Sequence, residues 1–130
     1  MIEAMALPTP YQVRFRAGEN EGIADTLKGG IGGSAGMRPH ELLEASVASC
    51  MTISARMALA DLGVTEAKVE VRVYLEREES TTRFRYELAL DPELEAHRSA
   101  VVARIECSPV RSTLSKQLLF EPAQYSGRRS

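Results

Sequence analysis

The chain has 130 residues and a mass of 14.3 kDa, with 16 Lys+Arg against 18 Asp+Glu. This length suits one domain over residues 1–130 with a core of its own, and a net charge of −2 lacks the basic excess of a general nucleic-acid binder. A chain that is 44% apolar is not a disordered one. No unbroken run reaches the roughly 18 apolar residues of a membrane span. The opening MIEAMALPTP has neither the basic start nor the apolar stretch of a secretory signal. The expectation is a cytoplasmic protein with no nucleic-acid or membrane partner. Cys50 and Cys107 are too few for a disulfide scaffold, and with two distant histidines they form no conventional zinc site, so no metal is expected. The two thiols are either inert core residues or a redox pair.

From Tyr11 to Arg16 the chain alternates, with Tyr11, Val13 and Phe15 on one side and Gln12, Arg14 and Arg16 on the other. This predicts a half-buried strand. Residues 17–38 form a glycine-rich loop, with a short extended piece around Gly22 to Thr26. Its Gly30-Ile31-Gly32-Gly33-Ser34-Ala35 fits the loose form of a dinucleotide fingerprint. That motif needs a preceding buried strand and a βαβ unit, which Asp25-Thr26-Leu27-Lys28 does not supply, so the segment reads as a connector.

Pro39 to about Leu62 is the longest helical segment. Pro39 suits the first turn and Gly63 the position just past the end. Only Glu41, Glu44, Arg56 and Asp61 are charged between them, so this helix must be covered on most sides. At about 100° per residue, Leu43, Val47, Ser54 and Met57 fall in a narrow arc around Cys50. The first cysteine thus sits mid-helix on an apolar face.

Lys68–Glu76 and Thr82–Leu90 alternate strictly and are joined by Arg77-Glu78-Glu79-Ser80, which predicts an antiparallel hairpin covered on one face. Asp91-Pro92 and Ser108-Pro109 each read as a cap followed by a first helical residue. The first helix has a stripe of Leu94, Val101, Val102 and Ile105, and the second carries Val110, Leu114 and Leu118. Leu118 to Tyr125 is a candidate edge strand, and 126–130 a frayed tail.

Chemistry centres on the cysteines. Cys107 lies directly before a capped helix start, where the unpaired N–H groups favour a thiolate. Cys50 has no such aid within its own helix. An apolar pocket keeps a thiol protonated, so if Cys50 is the nucleophile the fold must bring an arginine to it. Arg14, Arg16, His40 and Glu41 are the supporting candidates. The strand arginines also read as solvated residues, and Glu41 as a favourable charge at a helix start. Glu41 is roughly 13 Å of helix away from Cys50, so contact needs a bent helix or a second chain. His97 reads as a surface residue.

The segment GGIGGSAGMRPHELLEASVASCMTISARMALADLGV resembles the osmotically inducible protein C / organic hydroperoxide resistance (OsmC/Ohr) family. Pro39, Glu41, Leu42, Leu43 and Cys50 carry the likeness, which continues through VEVRVYLERE and the late cysteine before a Pro-Val helix start. The resemblance implies an α+β fold with a long central helix and antiparallel sheets, built as an intertwined homodimer. It implies thiol-dependent reduction of organic hydroperoxides in oxidative-stress defence, with Cys50 attacking and Cys107 resolving. It implies no bound cofactor and regeneration by an external dithiol of dihydrolipoyl type or another thiol, free or on a carrier protein. Leu43, Val47 and Met57 would line the substrate pocket. The chain departs from the pattern in three places. Ser108 stands in the usual slot of the second cysteine, His40 stands ten residues before Cys50 where peroxidase members have glutamate, and the arginine of the first hairpin loop has only Arg16 as a nearby candidate. A one-residue shift turns a helical side chain by about 100°, which leaves the reach of Cys107 to the fold. The alternative is a non-catalytic member that binds a small apolar ligand, or a redox sensor in which Cys50 alone reacts.

Overall fold

The computed structural model describes residues 1–124. Three strands open the chain: β1 (Glu3–Ala6), β2 (Val13–Ala17) and β3 (Asn20–Ala24), an antiparallel sheet in that order. The predicted strand starts two residues later than Tyr11. Tyr11 instead has φ 68° in the turn between β1 and β2, where the Leu7 N–H reaches the Gln12 carbonyl at 2.9 Å. β1 carries no expectation from the sequence, because all four of its residues are exposed and periodicity reports only burial.

Within the glycine-rich loop lies a small hairpin, β4 (Leu27–Lys28) with β5 (Ile31–Gly32). No βαβ unit surrounds it among the described residues, in line with rejecting a dinucleotide site. Asp25 gathers this loop. Its Oδ1 accepts the Thr26 N–H at 2.8 Å and its Oδ2 the Ala35 N–H at 3.0 Å. Gly36 then runs so close to β3 that a Cβ there would collide with the Ile23 carbonyl oxygen. The Ala35 N–H, helped by those of Thr26 and Gly33 and by Gln12, holds the Asp25 carboxyl below the usual carboxylate range, against the opposing pull of burial. A depressed folded pKa contributes stability above the unfolded value of about 3.9 and loses it as pH falls through the folded value. Wild type is therefore expected to lose more stability than Asp25→Asn between roughly pH 5 and pH 2. Urea unfolding at both pH values checks this, and equal losses would remove Asp25 from the acid limb.

α1 (Pro39–Asp61) is the predicted helix almost to the residue. Glu41 accepts the Arg38 N–H at 2.8 Å and satisfies one donor at the helix start. At the other end Gly63 takes φ 85°, and the Gly63 and Val64 N–H groups bond the Ala60 and Leu59 carbonyls at 3.0 and 2.8 Å. This is the paired closure that a left-handed residue after a helix permits. By length and composition α1 is also apolar enough to cross a membrane, although no unbroken apolar run reaches that length. Here it packs against β6, α2 and α3 as the core helix.

β6 (Val69–Arg77) and β7 (Thr82–Leu90) form the predicted hairpin, in the register Val71↔Leu88, Val73↔Tyr86 and Leu75↔Phe84. These side chains face the core around Val47, Met51, Leu59, Val101 and Ile105. The outer face is laced by Arg85–Glu76 and Arg83–Glu78, both at 2.9 Å. Such exposed pairs contribute at most about 1 kcal/mol each.

The segment after Asp91 is a 3₁₀ turn over Pro92–His97 that passes into α2 (Arg98–Ile105), rather than one helix. Asp91 makes no side-chain cap bond, and Arg98 holds the turn instead, with Glu95 at 2.7 Å and the Leu88 carbonyl at 3.0 Å. α3 (Pro109–Leu114) is short. Residues 117–124 hold no strand, so the expected edge strand is absent where the structure describes it. Tyr125 and the expected tail 126–130 lie outside the described residues.

Candidate functional site

The buried stripe of α1 is Val47, Met51, Ser54, Ala55, Ala58 and Leu59. Cys50 stands at its border and is partly exposed. Across from it, α2 ends and α3 begins. The Val110 N–H, sixty residues away in sequence, donates to Cys50 Sγ at 3.5 Å. Val110 is the second residue of α3, so its N–H is one of those left without an intrahelical partner. The support expected for Cys107 thus goes to Cys50.

Cys107 is exposed, and its neighbour Ser108 is 1% exposed. Ser108 caps α3 in backbone geometry, with φ −62° and ψ 140°, but makes no side-chain cap bond. Its Oγ is buried without a hydrogen-bond partner. A buried polar atom left unpaired costs about 1–3 kcal/mol. The turn is fixed by the Cys107 N–H to the Arg104 carbonyl at 3.1 Å and the Ser108 N–H to the Ile105 carbonyl at 3.0 Å. Arg111 braces it by donating to the Glu106 carbonyl at 2.8 Å.

The supporting candidates lie elsewhere. Arg16 pairs with Glu3 across β1 and β2 at 3.3 Å. Glu41 is engaged at the start of α1, and His40 Nε2 meets Arg77 Nη1 at 3.2 Å. Arg14 lies on β2 opposite Ile23, and none of the four reaches Cys50 through a hydrogen bond among the described residues. The expected pocket is also divided. Val47 is 2% exposed in the core, while Leu43 and Met57 are 41% and 51% exposed. Of the three, only Met57 lines the open groove of about 530 Å³ along α1, with Thr52, Ile53, Arg56, Ala60 and Thr65. Leu43 and Met57 stand about two turns either side of Cys50 along α1, and Val47 about one turn before it. One carboxylate has no role in the sequence reading beyond its charge: Glu44 accepts the Leu75 N–H at 2.8 Å and ties α1 to β6. Its place on a mostly apolar helix was the available sign.

An α+β arrangement with a cysteine at the middle of the central helix, its sulfur set against a second helix start, defines the class. The OsmC-like protein family matches residues 32–121, and the chain belongs to that family. A comparison with curated proteins returns no match. Solved structures share the fold. One, described as an osmotic stress induced and detoxification response protein from Psychrobacter arcticus 273-4, superposes with TM-score 0.72 at 18% identity, covering 86% of this chain and 85% of that one. An OsmC-like protein from Mycoplasma pneumoniae gives TM-score 0.68 at 15% identity, covering 88% and 86%. An organic hydroperoxide resistance protein from Vibrio cholerae O1, with captopril in one of its active sites, gives 0.58 at 18%, covering 88% and 83%.

Proposed function

We propose that this protein is a thiol-dependent reductase of organic hydroperoxides in peroxide-stress defence, with Cys50 as the attacking thiol. The observation that carries the reading is the Val110 N–H on Cys50 Sγ at 3.5 Å. The N–H is a donor aimed at the sulfur, and the thiolate is the attacking form of a cysteine. Family membership and the likeness to a hydroperoxide resistance protein support the same chemistry. Cys50 attacks one peroxide oxygen, the O–O bond breaks, the alcohol leaves with a proton, and the sulfur becomes a sulfenic acid. Two thiol groups then restore it, releasing water and leaving as a disulfide, without a bound cofactor or metal. The reading places the protein in the cytoplasm, where thiols are kept reduced. The test is direct: the reduced protein consumes cumene hydroperoxide with loss of the Cys50 thiol. No loss of that thiol sinks the reading and favours ligand binding.

The reading also includes a homodimer. α1 leaves Leu43, Ile53 and Met57 41%, 61% and 51% exposed, a stripe too apolar for a monomer surface. Light scattering should give about twice the chain mass of 14.3 kDa. Met57→Glu should shift it toward the monomer, and a monomeric wild type would contradict the assembly.

A further inference from the structure

Cys107 and Ser108 are consecutive, and only one of them faces the interior. Ser108 is 1% exposed and Cys107 is exposed. A capping hydroxyl ordinarily accepts the N–H of the second or third helical residue. In α3 the second of these N–H groups belongs to Val110 and goes to Cys50 Sγ at 3.5 Å, while Ser108 Oγ has no partner. The sulfur has taken the bond that the hydroxyl would take. Cys50 Sγ thus meets the same helix end at which Ser108 is buried and Cys107 is exposed. A disulfide needs Cα atoms within about 7 Å and Cβ atoms that face each other. The inward place at this turn holds a hydroxyl, which forms no disulfide.

We propose that Cys50 works as a single-cysteine centre whose sulfenic acid is resolved by an external thiol and not by Cys107. The inference rests on the peroxide reading above. In the first step Cys50 thiolate, a proton and the hydroperoxide give the sulfenic acid and an alcohol. An external thiol then condenses with the sulfenic acid, forming a mixed disulfide and releasing water. A second external thiol attacks that disulfide, and the products are the external disulfide and reduced Cys50. The two electrons taken by the peroxide come from these two thiols. Partial exposure of Cys50 gives a small thiol access.

The experiment compares wild type, Cys107→Ser, and Cys107→Ser/Ser108→Cys. Each is oxidised with diamide or with one equivalent of cumene hydroperoxide, and the sulfur states are mapped by mass spectrometry with dimedone as the sulfenic-acid trap. Wild type and Cys107→Ser should both carry the dimedone adduct on Cys50 after peroxide. Their turnover with dithiothreitol should agree within about twofold. Diamide should leave wild type without an internal disulfide and join Cys50 to the thiol introduced at position 108 in the double variant. A Cys50–Cys107 disulfide in wild type, or turnover about tenfold lower in Cys107→Ser, overturns the proposal and leaves the peroxide reading standing. A folded double variant with no internal disulfide overturns it as well. Failure of Cys50 to react with peroxide in any of the three proteins overturns both. The wild-type result decides the matter even if the double variant does not fold.

Discussion

Cys50→Ser should bring hydroperoxide consumption down to the uncatalysed rate, a loss of at least roughly a thousandfold, the scale on which removal of a covalent nucleophile is felt. A serine hydroxyl stays protonated at neutral pH and does not displace an alkoxide from peroxide oxygen, whereas a thiolate does. The substitution is close in size and the position is only partly buried, so the core stripe beneath it is undisturbed. The Val110 N–H that lies 3.5 Å from Cys50 Sγ would meet a hydroxyl oxygen, an equally suitable acceptor. The variant should therefore fold as wild type does. Peroxide loss followed in the presence of dithiothreitol, with circular dichroism as the folding control, checks the expectation. A folded Cys50→Ser protein that still turns over at the wild-type rate would remove Cys50 from the reaction.

Leu59→Ala carries the other large effect, on stability. Leu59 is 0% exposed and sits near the end of α1, in one cluster with Ala55, Ala58, Val101 and Ile105. Its carbonyl also receives the Leu62 and Val64 N–H groups at 3.0 and 2.8 Å, so the side chain anchors the residue that closes the helix. Truncating a fully buried leucine costs about 2–5 kcal/mol, through lost transfer energy and the cavity left behind. A whole domain is stable by only about 5–15 kcal/mol, so the loss is a large share. Urea melts at matched protein concentration should show a lower midpoint with an unchanged slope. A loss below about 1 kcal/mol would mean that α1 does not form the core at this point.

The sequence was most legible where the signal is local. Pro39 and Gly63 bracket α1, because a proline suits a first turn and a glycine takes the left-handed residue after a last one. Strict alternation placed Val71, Val73, Leu75 and their partners on the inner face of the β6–β7 hairpin. The segment PHELLEASVASC carried the family. Less legible were the parts built by contacts across the chain. β1 has no buried face, and the β4–β5 hairpin is too short to show a period. The break between the 3₁₀ turn and α2 follows from Arg98 reaching back to the Leu88 carbonyl. Of the two roles open to Glu41 in the sequence, the one at the start of its own helix is seen in the chain.

The two cysteines divide along the same line. The sequence alone determined that Cys50 stands mid-helix on an apolar face and that a second helix starts just after Cys107, because helix periods and proline starts are written in consecutive residues. Only the tertiary structure decided that this second start serves Cys50, and that Ser108 turns inward while Cys107 turns out. The physical reason is that a side chain's direction at a turn is set by packing against distant residues. A shift of one residue reverses which neighbour is buried, and no local pattern records it.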